Sequence, residues 1–379
     1  MMFCAKVKLA AAVFAGAAVV LGGGGTLAAK LAAGEPDKPK DQPKAEKKLN
    51  PQVMALGDNT WLKMNPKPEV EQRAYSSICR GHDGKYFYFG GAHGTYKYDD
   101  IAFYDLVTNT WTRSWEDRKE GDRSIAGHVE KFGRMPPVHF YQQACWYPER
   151  KVYFYSGYMG TWEFDPATMK WKHLLAGSSY QPKDMKVAPY TKLAWQTMIC
   201  FYSPDLKAPV LMCTTDPYGV YLWDQAKGEW KKRAKSFPGT LVWSEPYETY
   251  MPGMGCHLIT GKDSYWLYTP VTEEWKAVGS LPKGMSSSGI AYDEVNKLVL
   301  FFCAAEPLAG EADSKDIVVW TLDPATMKAT KVDRVGNGPK GNPAWRPVCY
   351  DPDHNAFLYL NHTGGRDETW VYRYKQTGK

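Results

Sequence analysis

The 379-residue chain predicts an all-β fold, a six-bladed β-propeller of four-stranded blades whose ring is closed by the N-terminal strand. Three observations predict it. An aromatic strand, a polar turn and a Trp recur along the chain. A second strand pair lies upstream of each copy. The two chain ends carry complementary halves of one unit.

The repeat reads IAFYDLVTNTW over residues 101–111, TWEFDPATMKW over 161–171, VYLWDQAKGEW over 220–230 and YWLYTPVTEEW over 265–275. An aromatic residue precedes the Trp by seven each time: Tyr104 and Trp111, Phe164 and Trp171, Trp223 and Trp230, Tyr268 and Trp275. Alternating aromatic strands around an Asp- or Thr-initiated turn make a β-hairpin. Upstream segments such as CWYPERKVYFYSG (145–157), AYDEVNKLVLFF (291–302) and CYDPDHNAFLYL (349–360) form a second hairpin. Four antiparallel strands per repeat are the unit of a propeller blade. A fifth copy at 318–329 has Leu322 and Ala329 in the paired positions, so the fifth blade is expected to be the weak seam. The repeated Trp is expected to pack one blade on the next.

The chain ends set the blade number. TWVYRYKQTGK at the C-terminus has the aromatic strand without a Trp strand, and Asn59-Thr60-Trp61 repeats Asn109-Thr110-Trp111 without an aromatic strand before it. The N-terminal strand therefore completes the last blade, and closure leaves no long exposed edge.

The pattern resembles the kelch repeat superfamily, the galactose-oxidase-type propeller, over nearly the whole chain after residue 53. The family's di-glycine is clear at Gly90-Gly91 and half-matched at Ser156-Gly157 and Thr260-Gly261, so the repeats are degenerate. The Trp-to-Trp steps of 60, 59 and 45 residues lie near the family's period of about 50.

Organisation outside the ring is read from charge and composition. Lys6 and Lys8 precede an uncharged Ala/Gly-rich run over 9–29, so residues 1–29 read as a signal peptide or N-terminal anchor. Residues 30–52 read as a flexible Pro/Lys-rich linker, and 53–379 as the propeller. The body is then exported, whether periplasmic, secreted or on the cell surface, with membrane attachment only through the N-terminal segment. Eight Lys against four Asp/Glu in residues 1–48 supply +4 of the net +6, so no basic footprint remains for nucleic acid. Seven body cysteines are an odd number with no C-x-x-C, and they sit in apolar strands. They read as free, small core residues.

Loop length directs the functional expectation. Connections between strands 2 and 3 and between blades are long, whereas the other rim carries tight turns. Long loops on a rigid scaffold carry binding. His93, Tyr96, Asp216, Tyr218, Glu306, His362 and Arg366 fall on the long-loop rim, and Arg73, His139, Gln143 and Arg346 near the starts of inner strands. Polar groups around an aromatic-rich opening suit a glycan, and the same rim could take a protein partner. No H-E-x-x-H, G-x-S-x-G or P-loop is present, so the reading is a non-catalytic binding propeller with no catalytic residue, metal or cofactor assigned. The alternatives are a sugar-acting enzyme resembling N-acetylneuraminate epimerase, or a copper-radical oxidase resembling galactose oxidase.

Overall fold

In the computed structural model each blade is an antiparallel sheet wound outward from the ring axis. Blade 1 comprises Ser77–Arg80, Tyr86–Gly90, Ala102–Asp105 and Thr110–Arg113. Blade 2 comprises Ala144–Tyr147, Val152–Gly157, Gly160–Asp165 and Lys170–Ala176. Met198–Ser203, Ala208–Cys213, Gly219–Asp224 and Glu229–Lys232 form blade 3. Tyr247–Met251, Cys256–Thr260, Ser264–Thr269 and Glu274–Ser280 form blade 4, and Gly289–Asp293, Leu298–Ala304, Ile317–Asp323 and Lys328–Lys331 form blade 5. Blade 6 holds Val348–Asp351, Ala356–Thr363 and Arg366–Arg373, and its outer strand is Thr60–Lys63 from the other end of the chain. The described residues are 47–69, 73, 76–91, 98–117, 125–190, 198–213, 219–238, 247–260, 264–282, 285, 289–304, 316–332, 337–340, 348–363 and 366–376.

The six-bladed ring closes as the sequence implied. Thr60, Trp61, Leu62 and Lys63 pair antiparallel with Arg373, Tyr372, Val371 and Trp370. The folded body begins ahead of this strand. Asn50 is buried and caps the short helix Pro51–Met54 by accepting from the N–H groups of Gln52 and Val53. Its Nδ2 donates to the Leu106 carbonyl at 2.8 Å. Residues 50–52, read as linker, thus belong to the unit Lys48–Lys379.

Local turn chemistry explains why the hairpins form. Asp105, Asp165, Asp224, Asp293, Asp323 and Asp351 each open a turn and accept a backbone N–H two or three residues on. An Asp carboxylate mimics a backbone turn in this way. These turns then end in a left-handed residue, with φ of 52° at Asn109, 54° at Met169, 60° at Gly228, 58° at Lys297, 55° at Met327 and 48° at Asn355. A type I turn followed by a left-handed residue matches the strand twist.

The outer hairpins place the repeated aromatics opposite each other. Tyr104 faces Trp111, Phe164 faces Trp171, Trp223 faces Trp230 and Tyr268 faces Trp275 in register. Ring centroids lie 5.0, 5.3, 5.3 and 4.4 Å apart respectively. In blade 5 the same register pairs Leu322 with Ala329. Ala329 and Trp320 both pack against the core between blades 4 and 5.

The seven cysteines from Cys79 to Cys349 form no disulfide; six are buried and Cys349 is partly buried. Burial raises the thiol pKa of Cys79, Cys200, Cys213, Cys256 and Cys349. They act as small apolar side chains between blades.

Candidate functional site

The six inner strands surround a central channel. Arg80, Trp146, Tyr202, Tyr250, Tyr292 and Tyr350 occupy one equivalent position in them, the last residue but one before the first turn. Four of these side chains reach back to the first turn of the preceding blade. Tyr202 Oη donates to Glu149 at 2.7 Å, and Tyr250 Oη donates to Asp205 at 3.0 Å. Arg80 pairs with Asp351 at 3.0 Å and with Asp353. His82 stacks on Trp146 with centroids 5.5 Å apart. This girdle stitches the blades together and lines a channel cavity of ≈ 370 Å³. Glu248 also lines it, and the His257 imidazole is held against its carboxylate, Nδ1 to Oε1 2.5 Å.

A larger depression lies on the same turn-bearing rim, between blades 1 and 2. This cleft has a volume of ≈ 580 Å³. Its walls are aromatic: Tyr86, Tyr88 and Phe103 from blade 1, and Trp146 from blade 2. Tyr88 stacks on Trp146 at 5.0 Å and meets Phe103 edge-on at 5.2 Å. Burial pushes the Tyr88 hydroxyl pKa up, so it stays protonated and can donate. Trp146 is 7% exposed, and its Nε1–H has no hydrogen-bond partner. The cleft borders are polar, with Asp83, Arg113, Arg150, Lys151 and Asp165. Arg150 is held by Glu163, Nε to Oε1 2.7 Å. Tyr86 is the partly exposed ring of this wall, with Tyr88, Phe103 and Trp146 buried behind it, so a flat C–H face can rest on Tyr86 while the polar border bonds the hydroxyls around it.

The residues singled out in the sequence distribute differently. Arg73 is 2% exposed, and its guanidinium is spent on Asp100 at 2.8 Å. Its backbone N–H donates to the Asp367 carboxylate, so Arg73 ties blade 1 to blade 6. Gln143 is fully buried and accepts from Tyr155 Oη at 3.0 Å. His139 is half-buried, its Nδ1 2.7 Å from Tyr141 Oη. His93, Tyr96, Asp216, Tyr218, Glu306 and Arg346 lie outside the described residues. His362 and Arg366 are placed by backbone register alone, at the ends of neighbouring strands of blade 6.

The cleft residues were missed because they sit in strand and turn segments that read as scaffold. The available signal was compositional: residues 82–88 (HDGKYFY) join a charged turn to an aromatic strand. Among the described residues no group of three or more His, Cys, Asp or Glu side chains is gathered to hold a metal.

No protein-family model matches the chain, and no curated protein matches it. Solved structures do. A chain in the crystal structure of a mitotic checkpoint complex superposes with TM-score 0.51 at 10% identity, over 93% of this chain and 99% of that one. Oligogalacturonate lyase from Vibrio parahaemolyticus gives TM-score 0.46 at 12% identity, over 86% of this chain and 97% of that one. These likenesses concern the fold alone.

Proposed function

We propose that this protein is an exported, non-catalytic binding module of kelch type that holds a carbohydrate in the cleft between blades 1 and 2. The observation that carries the reading is the cleft itself: ≈ 580 Å³, walled by Tyr86, Tyr88, Phe103 and Trp146 and bordered by Arg113, Arg150, Asp83 and Asp165. A pyranose ring has an apolar C–H face and a border of hydroxyls, which these two sets of groups complement. Rigid aromatics contribute large contact area at little entropic cost. The cleft lies between two packed blades, so it is formed before the ligand arrives, and preorganisation favours affinity. Export rests on the uncharged run at 9–29 behind Lys6 and Lys8.

The test is a glycan array on the full chain, followed by titration calorimetry of the best glycan with variants. Tyr86→Ala and Arg113→Ala are expected to weaken binding at least tenfold while leaving the melting temperature within a few degrees. Changes at His93, Glu306, His362 or Arg366, which the sequence reading assigns to a long-loop rim opposite this cleft and expects to carry binding, are expected under this proposal to leave binding intact. Binding that survives the cleft variants and fails in the rim variants would move the site to the opposite face.

A further inference from the structure

Cys145 and Cys200 lie on the inner strands of neighbouring blades, and their Sγ atoms stand 4.0 Å apart. The two strands are held together beside them, since the Cys200 N–H donates to the Gln142 carbonyl at 2.7 Å. Both thiols are buried, yet both belong to the lining of the channel cavity of ≈ 370 Å³. Cys79 and Cys349 line it too, whereas Cys213, Cys256 and Cys303 do not, and it is the 4.0 Å separation that singles out Cys145 and Cys200. A disulfide needs its sulfurs at about 2.05 Å. The remaining closure of about 2 Å can be shared between two χ1 torsions, because each sulfur swings about its own Cα–Cβ bond.

We propose that Cys145 and Cys200 are an oxidative cross-linking site, at which a small disulfide entering the channel converts the two thiols into a covalent bolt between blades 2 and 3. The oxidant is a low-molecular-weight disulfide such as oxidised glutathione. One cysteine loses its proton and its thiolate attacks the oxidant, forming a mixed disulfide and releasing one glutathione thiolate, which takes up a proton. The second cysteine loses its proton and attacks the protein sulfur of that mixed disulfide. The Sγ–Sγ bond forms and the second glutathione thiol leaves. Two protein thiols are oxidised and one glutathione disulfide is reduced to two thiols. Burial pushes the Cys200 thiol pKa well up, so its thiolate is scarce at neutral pH and closure accelerates as pH rises. The bolt spans the chain from one blade to the next and restricts the unfolded ensemble, so it adds stability to the ring.

The full chain is purified reduced, then held in oxidised glutathione at pH 7 and at pH 9. Tryptic mapping without reductant is expected to show the Cys145 and Cys200 peptides joined and two hydrogens lighter than their sum. The joined species is expected to form faster at pH 9, and the oxidised protein to melt several degrees higher than the reduced one. Cys145→Ser or Cys200→Ser is expected to abolish the cross-link, and Cys213→Ser to leave it. Glutathione adducts without a joined peptide, a bridge between other cysteines, or no loss of thiols would each overturn the assignment. The wild-type map alone decides, so a variant that folds poorly does not obscure it.

Discussion

Trp61 stands opposite Tyr372 with ring centroids 4.8 Å apart, although the two residues lie at opposite ends of the folded chain. The pair repeats the Tyr104–Trp111 relationship, with its halves supplied by different termini. Trp61 also meets Phe302 at 5.8 Å and Tyr359 at 5.6 Å, so it joins blade 6 to blade 5 as well. Trp61→Ala is therefore expected to destabilise the ring by about 3–5 kcal/mol, the usual effect of truncating a buried Trp. Trp61→Phe should recover part of this. Urea unfolding of the three proteins is the measurement, and equal midpoints would show that the closure does not depend on this side chain.

Blade 5 is expected to open before blade 2. Leu322 and Ala329 replace the aromatic pair there, whereas Phe164 and Trp171 fill it in blade 2. Hydrogen exchange should protect Ile317–Lys331 less than Gly160–Ala176. Equal protection would show that Trp320, which packs on the same core, fills the space left by the missing ring.

His173 makes stability acid-sensitive. Its ring stacks on Trp162 at 3.9 Å and on Tyr180 at 5.3 Å, and burial lowers its pKa to about 4. The unfolded chain takes up a proton near the ordinary value of about 6.5. Between these two values the unfolded state binds more protons, so stability is complete above pH 6.5 and is lost as pH falls towards 4. The urea midpoint should fall across that window, and His173→Phe should flatten the decline. An unchanged slope in the variant would show that other groups cause it.

Alkali should act in the opposite direction. Burial raises Tyr221 and Tyr268 to about 12, above the usual value of about 10. Their protonated form is favoured in the fold, so the stability they contribute is present below pH 10 and lost as pH rises towards 12. Absorbance at 295 nm should show a fraction of the tyrosines ionising together with unfolding. Smooth titration of all of them near pH 10 would contradict the burial.

The sequence by itself determined the hairpins, the four-strand blade and the closure of the ring. Each depends on contacts a few residues apart, or on a period that repeats them. Asp105 and Asn109 shape one turn whatever surrounds it, and Tyr104 meets Trp111 because that turn fixes their register. Tertiary structure alone decided where polar side chains end and which surfaces become concave. Arg73 looked available for a ligand until Asp100 appeared beside it. Tyr86, Phe103, Trp146 and Met169 border one cleft only because blades 1 and 2 pack side by side. A turn is encoded by its own few residues, whereas the destination of a side chain on a blade face depends on a neighbouring blade, a whole repeat away along the chain.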